Sequence, residues 1–204
     1  MTIKKLLPLK MATMTSLPLV VTLVSSIGKN KKPNIMVVTY VTGVNEEPPM
    51  FGVAIRPQKH SNSLIKFSKG FVINIPTLKL IREIDYCGTH TGRSVQKFDK
   101  LKLTAVKASK VKAPLIRECP INIECKLKRT VKLPSHDFFI GEAVALHVDK
   151  KLVANRKNKY GVLLPKSDQL DFLFTTFLDY RVIGKQKGTA FQEHKKLKKE
   201  KLCR

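Results

Sequence analysis

The segment Arg56-Pro57-Gln58-Lys59-His60-Ser61-Asn62-Ser63 gathers cations and hydroxyls where a strand gives way to a helix. The free backbone amides and the dipole of a helix N-terminus attract an anion, and Arg56, Lys59 and His60 add positive charge. Two readings fit these residues: simple capping of the helix by Ser61 beside a solvated Lys59, or a cradle for the phosphate of a cofactor. A second constellation, Cys87-Gly88-Thr89-His90-Thr91-Gly92-Arg93-Ser94, followed by Gln96-Lys97-Phe98, reads as a tight polar loop. Two readings fit it as well: a surface turn, or a loop whose two glycines let backbone amides approach an aromatic or anionic ligand closely. Cys87 is a reactive thiol only if Arg93 or Lys97 lies near its sulfur; otherwise it is a buried, inert cysteine. The third segment, Pro33-Asn34-Ile35-Met36-Val37-Val38-Thr39-Tyr40, is an apolar strand ending in a hydroxyl and an aromatic ring.

The elements that must position these residues are mostly strands. Runs rich in β-branched residues predict strands at Leu19–Ser25, Ile35–Thr42, Met50–Ile55, Phe71–Ile75, Leu103–Ala108, Ile121–Leu133, Phe138–Val148 and Tyr160–Leu164. Helical spacing of apolar residues predicts only two helices, Ser61–Lys69 and Thr77–Tyr86. From Ile121 the odd positions to Leu127, then Val131 and Leu133, are apolar, while Asn122, Glu124, Lys126, Lys128, Thr130 and Lys132 are polar. That alternation predicts a strand with one wet face. Pro134-Ser135-His136-Asp137 then turns the chain into a long hairpin with Phe138–Val148. Many strands, few helices and no alternating strand-helix rhythm predict an antiparallel barrel.

The chain has 204 residues, enough for one domain with a real core, and a formal charge of +24. Such charge invites a nucleic-acid reading. Lys outnumbers Arg 31 to 8, however, and the basic residues are dispersed. Base and phosphate forks favour Arg, so nucleic acid is not the expected partner. The run from Lys195 to Lys201 reads as a solvated end, and residues 188–204 form a basic tail outside a 1–187 domain. The N-terminus carries an uncharged stretch from Met11 to Gly28, but Lys10 separates it from the apolar residues before it, Pro18 interrupts it, and its polar content makes it poor spanning material. The expectation is a protein of the cytoplasm with no membrane segment. Four cysteines without a C-x-x-C pair provide neither a disulfide scaffold nor a zinc site. Dinucleotide, P-loop, zincin and hydrolase motifs are missing from the sequence, so those chemistries lack their machinery.

Taken in order, the three segments resemble the flavin reductase-like family that includes the flavoredoxins. Further matches lie at Leu17-Pro18-Leu19-Val20-Val21-Thr22, Asn34-Ile35-Met36, Pro48-Pro49, Val53-Ala54-Ile55, His60-Ser61 and Phe71-Val72-Ile73-Asn74-Ile75-Pro76. They continue at Cys87-Gly88, Gly92-Arg93, Lys97-Phe98, Ala113-Pro114-Leu115-Ile116, Glu118-Cys119-Pro120, Glu124-Cys125, Phe139-Ile140-Gly141-Glu142 and Tyr180 near Gly184, covering roughly residues 16–187. The resemblance implies a mainly β fold, an antiparallel Greek-key split β-barrel with a few short helices, binding FMN as a homodimer.

It further implies that Val37, Val38, Thr39, Tyr40 and Val41 lie along the flavin ring. Lys59, His60 and Ser61, with Arg56 nearby, would hold the phosphate, and Cys87, Gly88, Thr89, Thr91, Gly92 and Arg93 with Lys97 would close over the flavin. The chain departs from relatives at Val37, where Thr is frequent, and at Thr39, where Ser is frequent; Thr91-Gly92-Arg93 and Gln96-Lys97-Phe98 also vary the family signatures. The implied activity is transfer of electrons from NAD(P)H through FMN to an acceptor, which requires no catalytic acid or base from the protein. A flavoredoxin-type carrier with tightly bound FMN and a protein redox partner is the alternative, and a basic nucleic-acid-binding barrel is the remote one.

Overall fold

The computed structural model describes residues 9, 12–155, 166, 169–176 and 179–184. A single helical turn, α1 (Ala12–Thr15), leads into β1 (Leu19–Val20) and β2 (Thr22–Ile27). There follow β3 (Pro33–Val38), β4 (Val41–Asn45), β5 (Met50–Ile55), α2 (His60–Ser68) and β6 (Gly70–Ile75). A 3-10 turn (Leu78–Leu80) runs into α3 (Ile81–Thr89), and then come α4 (Lys97–Lys100), β7 (Ala105–Val106) and β8 (Leu115–Ile116). The long pair β9 (Ile121–Lys132) and β10 (Asp137–Val148), a second 3-10 turn (Lys150–Leu152), β11 (Leu173–Thr176) and β12 (Asp179–Val182) complete the described chain.

Seven strands form one antiparallel sheet in the order β3-β2-β6-β9-β10-β5-β4. Its two outermost strands, β3 and β4, are successive in sequence, joined by Thr39 and Tyr40 alone. The chain therefore leaves one sheet edge and returns on the other, and the Ala54 amide donates to the Tyr40 carbonyl at 3.0 Å across the join. This brings the sheet round into a barrel, with β3 paired only to β2 and β4 only to β5 among the described residues. It also corrects the single strand expected at Ile35–Thr42, which breaks where it changes partner from β2 to β5. The expected strand Leu19–Ser25 breaks likewise, because Leu19 and Val20 pair with β11 in a separate sheet while Thr22 onward joins the barrel.

Period-two alternation sends the residues of β3 into two cores. Val38, with Met36 packed beside it, enters the barrel interior with Val24, Val53, Ile55, Phe71, Ile73 and Phe139. Ile35, with Val37 against it, faces an outer core of Leu23, Ile84, Cys87, Phe98, Ile116, Cys119 and Leu173, covered by α3 and α4. One strand thus forms the seam between the barrel and its helical cover.

The β9–β10 hairpin forms as expected, with the Leu133 amide donating to the His136 carbonyl at 2.8 Å. Its wet face does not extend along the whole strand. Asn122 and Glu124 are buried, and only Lys126, Lys128 and Lys132 on that face are exposed. The cause is the segment between β7 and β8, which folds over this end of the strand. Glu124 accepts from the amides of Ser109, Lys110 and Val111 at 2.8, 2.6 and 3.0 Å, from the Ser109 hydroxyl at 2.8 Å, and faces His147 Nε2 at 2.6 Å. Asn122 Nδ2 donates to the Ile116 carbonyl and to Asn74 Oδ1 at 3.1 and 2.8 Å. The same fold-over shortens the strand expected at Leu103–Ala108 to Ala105–Val106, because the following backbone amides point at Glu124 instead of a neighbouring strand. The expected strand Tyr160–Leu164 and the basic tail 188–204 lie outside the described residues. No helix among the described residues is long and apolar enough to cross a membrane.

Candidate functional site

Helix α2 begins at His60, one residue before the predicted start. Its N-cap is Lys59, and no side chain caps it. Ser61 does not serve as the cap: it lies inside the first turn, buried, where its hydroxyl accepts from Asn34 Nδ2 at 2.8 Å. The first amides of a helix have no partner within the helix, so this end presents uncapped N–H donors. The far end is closed by Lys69 in the left-handed region at φ 55°, its amide donating to the Ile65 carbonyl.

Helix α3 runs three residues further than predicted, so Cys87, Gly88 and Thr89 form its last turn instead of a loop. The apolar spacing of Ile81 and Ile84 continues through Cys87, which enters the outer core. Gly88 lies against β3: a Cβ there would stand 3.1 Å from Val37 Cγ1. The chain then turns at Thr91, whose carbonyl accepts from the Ser94 and Val95 amides. A Cβ on Gly92 would overlap Asn34 Oδ1, so the loop crosses this point only without a side chain. Lys97 opens α4 and turns inward; its Nζ donates to the carbonyls of Ile35 at 3.0 Å and Cys87 at 2.9 Å.

Three adjoining hollows follow β3. The first, about 480 Å³ of empty space, is walled by Asn34–Val37, Lys59–Ser61, Cys87–Gly92 and Lys97. The second, about 560 Å³, runs past Met36–Tyr40 to Ala54–Arg56, Lys59 and His136. The third, about 820 Å³ and open, lies at Asn30, Lys32, Asn34, His60, Gly92, Arg93 and Gln96. Met36, Val37 and Lys59 belong to the first and second hollows, and Asn34, His60 and Gly92 to the first and third.

Val37, Lys59, His60, Ser61, Cys87, Gly88, Thr89, Thr91, Gly92 and Lys97 therefore come together in the first hollow. Val38, Thr39 and Tyr40 line the second, Val38 mostly buried in the barrel. Val41 begins β4 and packs against the barrel core, lining none of the three. Arg56 stands in the second hollow, whereas Arg93 occupies the third and reaches the α2 approach, its Nη1 donating to the Gln58 carbonyl at 2.9 Å. Asn34, Met36, His90 and His136 were absent from the expected site. Asn34 and Met36 carry a signal in the Asn34-Ile35-Met36 match and His90 lies within the polar segment Cys87–Ser94, whereas His136 belongs to a hairpin turn distant in sequence from all three segments. His90 stacks on Tyr86, with ring centroids 3.7 Å apart, and Tyr40 lies 5.5 Å from His136.

The electrostatics are one-sided. Burial, then Arg93 and Lys97, pull the His60 pKa below the usual histidine value, so its neutral ring is favoured. Burial pushes the Cys87 thiol up to about 11, and the neighbouring Lys97 only partly offsets it. Cys87 is therefore a packed thiol and not a nucleophile. Burial, and secondarily Lys59, hold the Lys97 pKa below the ordinary lysine value, against an opposing effect of Cys87. Among the described residues no cluster of three metal-ligating side chains exists. The arrangement suits an anion at α2 and a flat ligand extending along β3, and it carries no acid-base pair.

The family model of the flavin reductase like domain matches residues 14–164. This chain belongs to that family. It is 39% identical over 118 residues to a protein of Archaeoglobus fulgidus described only as uncharacterized, over 58% of this chain and 66% of that protein. A Pyrococcus abyssi protein, described in the same terms, is 37% identical over 118 residues, 58% of this chain and 67% of its own length. The match thus spans about two thirds of these relatives. Among solved structures, the flavoredoxin of Desulfovibrio vulgaris (Miyazaki F) superposes with a TM-score of 0.82 at 28% identity, over 94% of this chain and 100% of that one. A flavoredoxin from Methanosarcina acetivorans gives 0.78 at 29% identity, over 88% and 92%. The mainly antiparallel split barrel is shared with them, and the family is one of flavin-binding oxidoreductases.

Proposed function

We propose that the protein binds FMN in the cleft along β3 and passes electrons from NAD(P)H through it to an acceptor, working as a homodimer in the cytoplasm. The observation that carries this reading is the uncapped N-terminus of α2, flanked by Lys59, His60 and Arg93, where the three adjoining hollows along β3 meet. The donor set fits a phosphate monoester: helix amides, one fixed hydroxyl and exposed cations on a loop. Gly88 and Gly92 let the facing wall pack closely against β3, where a side chain would meet Val37 and Asn34, and so bring backbone to the border of the first hollow.

FMN supplies two-electron chemistry when bound, and so no protein acid or base is required. The protein's residues bind and orient. Lys59, the amides of His60 and Ser61, and Arg93 hold the phosphate. Val37, Val38, Thr39 and Tyr40 present the β3 backbone to the ring. Cys87, Gly88, Thr89, Thr91 and Gly92 form the facing wall, with Lys97 beneath. Arg56 and Lys59 leave the second hollow positively charged, which suits the phosphates of a nicotinamide dinucleotide. Neither Val41 nor a Cys87 thiolate has a part in this account.

The test is the visible spectrum of purified, desalted protein, followed by titration with FMN. Flavin bands, or quenched FMN fluorescence with NAD(P)H consumption that depends on FMN, support the proposal; a protein that neither retains nor quenches FMN refutes it. The likeness to flavoredoxins at 28–29% identity favours a second reading, an electron carrier with tightly bound FMN and a protein partner. A bound flavin reduced slowly by NAD(P)H but rapidly by a ferredoxin selects that reading.

A further inference from the structure

Lys97 differs from the other cations of the cleft. Lys59 and Arg93 are exposed and screened by water, whereas Lys97 is 3% exposed. An ammonium has three N–H donors, and the carbonyls of Ile35 and Cys87 take two of them. Among the described residues it forms no ion pair with a carboxylate. The two carbonyls lie on opposite walls, β3 and the last turn of α3, and so fix the ammonium at the hollow's floor. Buried charges persist cheaply only when paired with an opposite charge. Here two peptide dipoles stand in for a carboxylate, and the charge lines a cleft.

We propose that Lys97 is a buried cation retained for the ligand: it destabilises the flavin-free protein and makes the cleft bind reduced, anionic flavin more tightly than oxidised flavin. This rests on the flavin reading above. A flavin that takes up two electrons and one proton carries one more negative charge than before. That charge is attracted most by the cation that water screens least, and in this cleft that is the buried Lys97. Removing the ammonium while keeping the stem's length and volume therefore has opposite effects on the flavin-free protein and on the reduced complex. A residue with only a packing role would not separate the two redox forms of the ligand.

The experiment compares the full-length wild type with Lys97→Met and Lys59→Gln. Dissociation constants are measured anaerobically for FMN and for dithionite-reduced FMN, and the flavin-free proteins are melted. The wild type is expected to bind reduced FMN about tenfold more tightly than oxidised, which raises the bound potential by about 30 mV. Lys97→Met is expected to lose that ratio and to melt higher than the wild type without flavin. Lys59→Gln is expected to weaken both forms by the same factor. An unchanged ratio in Lys97→Met, a lower flavin-free melting point or failure to fold, or an equal change of ratio in Lys59→Gln would each overturn the proposal. A wild type that binds neither form overturns the flavin reading itself, and this inference with it.

Discussion

Glu124 and Lys97 are both charged groups sealed inside one small barrel, and their surroundings are opposite in kind. Glu124, 0% exposed, is held by three backbone amides, one hydroxyl and His147. Lys97 has two carbonyls and no carboxylate. The first charge ties the segment between β7 and β8 to β9, far from any hollow along β3. The second stands in the floor of the cleft. A buried charge whose valences are all met is a structural rivet; one met only in part, beside a cavity, waits for a partner from outside.

The comparison is broken most forcefully at Glu124. Glu124→Leu removes the buried acceptor of three amides and a hydroxyl and unties the segment that carries them, and the expected loss is about 3 kcal/mol of unfolding free energy, read by urea denaturation. FMN affinity should stay within about threefold once the protein is folded, because the segment it anchors touches none of the three hollows. A stability change below about 1 kcal/mol would show that the cage is decorative. Acid reads the same group without mutation. Burial opposes its ionisation, but the hydrogen bonds from Ser109, Lys110 and His147 prevail and bring the Glu124 pKa from 4.5 down to about 2. A carboxyl with a depressed folded pKa contributes fully above its unfolded value, and that contribution fades as pH falls toward the folded one. The Glu124 share of stability should therefore be intact above pH 4.5 and be lost between 4.5 and about 2, and the Leu variant should lack this phase.

Gly92→Ala is the next largest effect and sharpens the other side. The new methyl overlaps Asn34 Oδ1, so either the loop lifts or the Asn34 amide leaves Ser61. Either movement opens the wall of the first hollow. Overpacking of this kind costs about 1–3 kcal/mol, and here it should fall on ligand binding as much as on stability, weakening FMN by tenfold or more. Melting and fluorescence titration on the same sample separate the two losses.

The two regions were not equally legible in sequence. The cleft's raw materials were visible: Lys59-His60-Ser61 at a helix start, glycines at 88 and 92, and Lys97 before Phe98 all announce a polar site. Their roles were blurred where tertiary contacts override local preference. Ser61 has the right type for a cap but is drawn into a bond with Asn34, 27 residues away in sequence. Arg56 lines the second hollow while Arg93 lines the third and reaches the Gln58 carbonyl, a sorting set by tertiary structure that the sequence order does not reveal. Glu124 was read as the wet side of an alternating strand. Alternation shows which residues share a face, and only the fold-over of residues 109–111 decides whether that face meets water. The barrel itself was readable from strand density, hairpin turns and the family resemblance.

A smaller effect distinguishes the two arginines. Arg93→Gln removes a cation beside the uncapped end of α2 and should weaken FMN about tenfold, or 1.4 kcal/mol. Arg56→Gln, in the second hollow, should weaken FMN by less than threefold while raising the NAD(P)H concentration needed for half-maximal turnover. If the two variants change FMN affinity equally, the phosphate does not sit at the α2 end.

The smallest effect supplies the control for all the others. Lys128 and Glu142 form an ion pair of 2.8 Å across β9 and β10, shorter than several bonds at the cleft, yet the lysine side chain is 53% exposed. Water solvates both charges before and after the contact, and ordering two long side chains offsets what attraction remains. Lys128→Met should thus change stability by less than about 0.5 kcal/mol, measured by the same denaturation, with FMN binding untouched. Glu124 and Lys128 would then rank by the completeness of their enclosure and not by the length of their contacts. A Lys128→Met loss approaching that of Glu124→Leu would contradict the ranking, because distance alone would account for both.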